Sequence, residues 1–263
     1  MSTQVTTTSS SLSEGWAKTV RSLLGCPKRK AFHTVTVMTD PTSEDPDLRA
    51  GLDRLLARHH MQPVVEVANT VFPQALAETS TDAYHLGRRY RAIYPRLRQL
   101  DRDNVSGTYF GRLVQYPASR GSVDQFAEVV ARMKVQRAAG AAGVRKGVMG
   151  AAYETTLHEP GDAVAYLATQ VPGTDHRYRG FPCLTGLSFQ LIDDQVHLLA
   201  QYRYEYLFAK GYGNYLGLSQ MMTFVADEVG VLPGQLTVVT GRAHVDLTAK
   251  HIGPLIDGFV LDV

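Results

Sequence analysis

Phe181-Pro-Cys-Leu-Thr-Gly-Leu-Ser-Phe-Gln190 sets a cysteine directly after a proline, at the entry to an apolar run that reads as a strand over 184–192. The acidic pair Asp193-Asp194 follows, and a second strand pattern covers 196–203. Two strand patterns joined by a short turn are the sequence form of a β-hairpin. This hairpin can carry Cys183 at the start of one strand beside Arg203 at the end of the other. Gly211-Tyr-Gly-Asn214 then breaks the pattern, and His244 follows a strand pattern over 235–240.

The 263 residues are 44% hydrophobic, enough to bury a sizeable core in one large domain. A formal charge of +2 gives no general reason to expect a nucleic-acid or membrane surface. Cys26 and Cys183 are too few for a disulfide framework, and no Cys/His metal spacing is present. No apolar run approaches the ~20 residues that span a bilayer. Met1–Ser13 is rich in Ser and Thr, without the basic start or apolar core of a secretion signal. The expectation is a disordered segment over 1–14 and a single domain over 15–263, in a reducing cytoplasm.

Helices are predicted over 15–24, 48–59, 82–102 and 122–137 from apolar spacings of three and four, and a strand over 32–38. Residues 216–229 form a core helix whose methionines are packing. Gly107–Arg112 reads as a turn. Arg145-Lys146 opens a strand-like stretch over 147–153, after a Gly/Ala loop without the phosphate-loop pattern. Lys28-Arg29-Lys30 is either a solvated turn or a phosphate contact. Glu66 is the lone acid in the apolar segment 62–72. In a buried helix such a carboxylate must be paired or have a raised pKa, which makes it a candidate general acid/base. The alternative is a capping or surface glutamate.

Pro182-Cys183, Arg203, Gly213-Asn214 and Thr240-Gly241…His244 follow one another at the spacing of the thymidylate synthase family, and the chain resembles that family over roughly 60–246. The family includes the pyrimidine nucleotide hydroxymethylases. Val64-Val-Glu66 resembles the helix bearing the family's catalytic glutamate. Tyr109-Phe-Gly-Arg112 with Asp124-Gln125 resembles the segment before its long middle helix. Arg145-Lys146 is similar to the basic pair that reaches the partner subunit's phosphate. The resemblance implies an α/β (α+β) fold with a large mixed sheet flanked by helices, paired back to back in a homodimer with shared sites. It implies a pyrimidine nucleotide substrate and 5,10-methylenetetrahydrofolate as cofactor, and neither nucleic acid nor membrane as partner.

The chemistry explains why such residues coexist. A thiolate adding to C6 of a pyrimidine makes C5 nucleophilic toward a one-carbon electrophile. Arg203 favours the ionised thiol and can bind phosphate, and Glu66 handles protons. Asn214 can meet the O4/N3 edge of uracil with one donor and one acceptor, whereas cytosine-specific relatives carry aspartate there. The expected substrate is therefore UMP or dUMP. His244 resembles the family's sugar and water-network histidine. Asp246 stands where a tyrosine meets the sugar, which suggests a ribose diol. Tyr204 replaces a phosphate-binding serine. Tyr206 replaces the pterin-binding aspartate, and only 19 residues follow His244, so much of the tail that closes over folate is unmatched. These departures favour hydroxymethylation over methylation. They also keep open a folate-independent enzyme acting on another pyrimidine, or a non-catalytic nucleotide- or RNA-binding relative.

Overall fold

The computed structural model describes residues 4–100, 104–141, 167–171, 173, 175 and 182–260. In chain order the first half gives β1 (Gln4–Ser11), α1 (Leu12–Leu24), β2 (Lys30–Asp40), α2 (Pro46–Arg58), α3 (Val64–Val71), α4 (Gln74–Ala77), α5 (Ala83–Leu100) and α6 (Tyr109–Val114). A two-strand pair, β3 (Tyr116–Pro117) and β4 (Ser122–Val123), precedes α7 (Gln125–Ala141) and β5 (Leu167–Ala168). The second half gives β6 (Leu184–Ile192), β7 (Gln195–Tyr202), β8 (Glu205–Tyr206), α8 (Tyr212–Val229), β9 (Leu232–His244) and α9 (Ala249–Val260). No described helix is long and apolar enough to cross a membrane.

Among the described residues, seven strands make one mixed sheet, ordered β1-β2-β9-β7-β6-β5. β8 continues beside β9 where β7 ends, pairing Glu205 with Ala243 and Tyr206 with His244. The β6–β7 hairpin turns on Asp193 and Asp194, both left-handed at φ 49° and 60°. Two successive positive φ values suit the right-handed strand twist, and aspartate tolerates them better than most side chains.

Helices cover one sheet face. Met38, Phe189, Leu198, Ala200, Leu236 and Val238 are buried there, beneath Trp16 of α1 and Met221, Met222 and Val225 of α8. α3 lies across α8 at a close approach set by glycine. A Cβ on Gly217 would stand 2.6 Å from the Ala68 carbonyl, and one on Gly213 2.6 Å from the Val67 Cβ. On the opposite sheet face Val35 pairs with Val239, Val37 with Thr237, Leu199 with Thr237 and Gln201 with Val239. These six side chains are half-buried or exposed.

Three readings of the sequence are corrected. Residues 4–11 are an ordered strand, parallel to β2, rather than part of a disordered segment. Its hydroxyls find partners inside the fold: Thr7 bonds Thr19, Ser9 donates to the Val37 carbonyl and Ser10 to Glu14. The turn expected at 107–112 is instead the start of α6, capped by the Thr108 hydroxyl accepting from the Gly111 amide. The break expected at 211–214 is a π turn over Leu207–Gly211 that runs straight into α8, so Asn214 is helical. The predicted strand over 147–153 lies outside the described residues, as do Arg145 and Lys146.

Candidate active site

The hairpin register sets Leu184 opposite Tyr202, and the next pair outward is Cys183 with Arg203. There the Arg203 amide donates to the Cys183 carbonyl at 2.8 Å. The Arg203 carbonyl accepts from the Arg242 amide at 3.1 Å, which ties the end of β7 to β9. Gly241 permits this, since a Cβ there would meet the Arg203 carbonyl oxygen at 3.0 Å. β8, the π turn and the first turn of α8 follow, so Cys183, Arg203, Glu205 and Asn214 come together within one short stretch of chain geometry.

A cavity of about 490 Å³ opens at this point. Gln62, Val67 and Thr70 line it from the α3 segment, Tyr109 and Arg112 from α6, and Cys183, Tyr204, Glu205, Tyr206, Lys210 and Asn214 from the strand ends and π turn. Lys210 reaches Gln62 across it. Arg112 is held structurally, by an ion pair to Asp175 and bonds to the Ser106 and Thr169 carbonyls.

Cys183 is partly buried, and its thiol is pushed above the ordinary range by burial first and by the Glu205 carboxylate second, with Arg203 opposing. Arg203 acts on the thiol in the expected direction, but burial and Glu205 outweigh it, so the net shift is upward. Desolvation disfavours the thiolate, and a second negative charge adds to it. Tyr109 lines the same cavity, and burial first and the Cys183 sulfur second raise its phenol too.

Glu205 is 2% exposed. Its Oε1 accepts from Asn214 Nδ2 at 3.0 Å and its Oε2 from Thr240 Oγ1 at 3.0 Å. Burial pushes its carboxyl up to about 7 in spite of hydrogen bonds from Asn214, Thr240 and Tyr215. Asn214 is 5% exposed, so one of its two amide hydrogens is committed to Glu205, and the amide oxygen and other N–H remain for a ligand edge. Sequence reasoning missed Glu205. An acid within the aromatic stretch Tyr202–Phe208 was the available hint, but nothing local shows that β8 folds its side chain inward.

Glu66 is solvent-exposed in the first turn of α3 and is not in the cavity wall that Gln62, Val67 and Thr70 help to form. The reading of Glu66 as an acid inside a buried helix is corrected. Only Val64, Val67, Ala68 and Val71 of that helix turn inward.

The other candidates gather around the end of β9. The Tyr204 hydroxyl bonds His244 Nδ1 at 3.2 Å, and the Tyr204, Tyr206 and His244 rings cluster, with the two tyrosine centroids 4.9 Å apart. Burial and the charges of Lys30, Arg29 and Arg242 push the imidazole below its usual range. Arg29 Nε donates to the Val245 carbonyl at 3.2 Å, and Lys30 pairs with His244 in the sheet. The basic cluster therefore borders the strand end that carries His244. Asp246 is turned to a different task from the one its position suggests. Its carboxylate accepts from the Phe208 amide at 2.9 Å and the Ala209 amide at 3.3 Å, capping the π turn.

No protein-family profile matches the chain. Over 82 residues it is 38% identical to a Methanococcoides burtonii protein named "Putative thymidylate synthase", covering 31% of this chain and 37% of that one. A Methanosarcina mazei protein of the same name is 34% identical over 93 residues, 35% of this chain and 42% of the relative. The chain thus matches about two fifths of the length of these curated relatives.

Proposed function

We propose that the cavity binds a pyrimidine nucleotide, with uridylate (UMP or dUMP) as the expected substrate, and transfers a one-carbon unit to C5 as a methyl or hydroxymethyl group. Sulfur of Cys183 bonds to C6, and the C5–C6 π pair moves toward O4 to give an enolate. C5 then attacks the one-carbon electrophile, loses its proton, and sulfur departs as C5=C6 re-forms. The observation that carries this reading is Cys183 in the wall of a cavity that Asn214 also lines, its carbonyl bonded to the Arg203 amide. The relatives' name supports the same chemistry. Arg203, Arg29 and the Tyr204–His244 pair would receive phosphate and sugar. Asp246, occupied by the π turn, gives less support to ribose over deoxyribose than its position alone suggests.

The fit to a folate donor is poor among the described residues. The carboxylate lining the cavity is Glu205, already committed to Asn214 and Thr240. Tyr206, 47% exposed, offers a ring face and no carboxylate. This favours the second reading, activation of C5 without folate. The open sheet face of Val35, Val37, Leu199 and Val239 supports a back-to-back homodimer, in which Arg145 and Lys146 would reach the partner's phosphate.

Tritium release from C5-labelled UMP, dUMP, CMP and dCMP, with and without methylenetetrahydrofolate, tests both readings. Release by the wild type and its loss in Cys183→Ala is the expected result, and the folate arm separates the two. Nucleotide binding with no release from any of the four would point to a non-catalytic binder.

A further inference from the structure

We propose that Glu205 is the proton-holding carboxyl of this cavity: it takes the Cys183 proton as sulfur bonds to C6 and returns it when sulfur leaves. The inference rests on the nucleotide reading for its chemical step, but the presence of thiol and carboxyl in one cavity does not depend on it. Both groups line one cavity. β8 holds Glu205 inward, with Asn214 on one oxygen and Thr240 on the other. Burial disfavours its charged form, and buried carboxyls that open onto a cavity cluster where protons are moved.

The titratable groups that feel the Glu205 charge are Cys183 just before β6, Tyr109 from α6, Tyr202 from β7 and Tyr215 from α8. The three phenols are pushed above the usual tyrosine range and stay neutral near pH 7. Arg203 offsets the effect of Glu205 at the sulfur. That leaves thiol and carboxyl as the pair able to share a proton around neutrality, the carboxyl lying near 7. As the S–H proton passes to Glu205, the sulfur pair forms the S–C6 bond and the C5–C6 π pair becomes the enolate. C5 takes a solvent proton and loses its original one to cavity water. The C6–S bond then breaks, and the thiolate recovers its proton from Glu205.

Two measurements on the full chain decide the matter. The first needs no nucleotide: iodoacetamide alkylation of Cys183 against pH, resolved by peptide mass spectrometry. Removing the carboxylate in Glu205→Gln should lower the pH midpoint of the thiol. Below that midpoint, alkylation should rise about tenfold for every pH step by which it has fallen. Glu66→Gln should follow the wild type, and Cys26 in the same digests reports an intact fold. An unchanged Cys183 profile in a folded Glu205→Gln overturns the proposal. The second is C5 tritium release from UMP between pH 6 and 9. Glu205→Gln should lose on the order of 100-fold or more in rate with nucleotide binding kept, and Glu205→Asp should recover part of it. Wild-type rate and pH profile in Glu205→Gln also overturn it. If the wild type itself releases nothing, the nucleotide reading fails, and the alkylation profiles still decide whether Glu205 governs the thiol. Should Glu205→Gln fail to fold, Glu205→Asp carries both measurements, and a Cys183 profile and release rate identical to wild type would count against the proposal.

Discussion

A carboxyl that ionises near 7 inside the fold, and near 4.5 outside it, leaves a mark on stability. The folded state holds the Glu205 proton over a window where the unfolded chain has lost it. Stability from this group is therefore full below about 4.5 and falls as pH rises toward 7, by on the order of 3 kcal/mol across the window. Urea titrations at pH 5 and pH 7.5 should show the wild type more stable at the lower pH, and Glu205→Gln should flatten that difference. A steeper dependence in the variant would contradict the assignment. At this scale Cys183, Arg203 and Asn214 were legible because their chemistry and spacing are local properties. Glu205 and the capping task of Asp246 were not, because both depend on which backbone passes nearby.

Elements carry their own test in the α3–α8 contact. Gly217 sits where a methyl group would press on the Ala68 carbonyl and the Val71 side chain, within 2.7 Å of both. Gly217→Ala raises helix propensity but overpacks this crossing, and overpacking typically costs about 1–3 kcal/mol. The expected outcome is a lower denaturation midpoint, together with weaker nucleotide binding, because Val67 and Thr70 of α3 shift with the helix. A stability equal to or above the wild type would mean that the helices separate without cost. The helices and the hairpin were legible from periodicity and from Asp193-Asp194. α6 and the π turn leading into α8 were not: the Thr108 cap of α6 lies in a stretch that reads as a turn, and the π turn is held by Asp246, a carboxylate from beyond β9 that is 37 and 38 residues away in sequence.

For the molecule as a whole, the sheet face opposite the helices sets the prediction. Val35, Val37, Leu199 and Val239 lie in register there with polar neighbours, an apolar patch of the kind that marks an interface. Sedimentation should find the wild type as a dimer and Val239→Lys as a monomer, with a thermal midpoint near that of the wild-type subunit at high dilution. If the site is shared, the monomer also loses C5 tritium release. A wild type that sediments as a monomer while releasing tritium at full rate would remove the dimer from the proposal.

By itself the sequence determined the hairpin and the meeting of Cys183 with Arg203, while the mixed α/β class came through a family resemblance. Hairpin and meeting follow from period, turn chemistry and a spacing that one β-ladder converts into contact. Tertiary structure alone decided that the Ser/Thr-rich start is a strand, that Glu66 faces solvent and that Glu205 does not. A strand whose hydroxyls are paired from other elements, or an acid whose desolvation is set by four separate segments, has no local signature. Its environment exists only once β9 has drawn the ends of β7, β8 and α8 together.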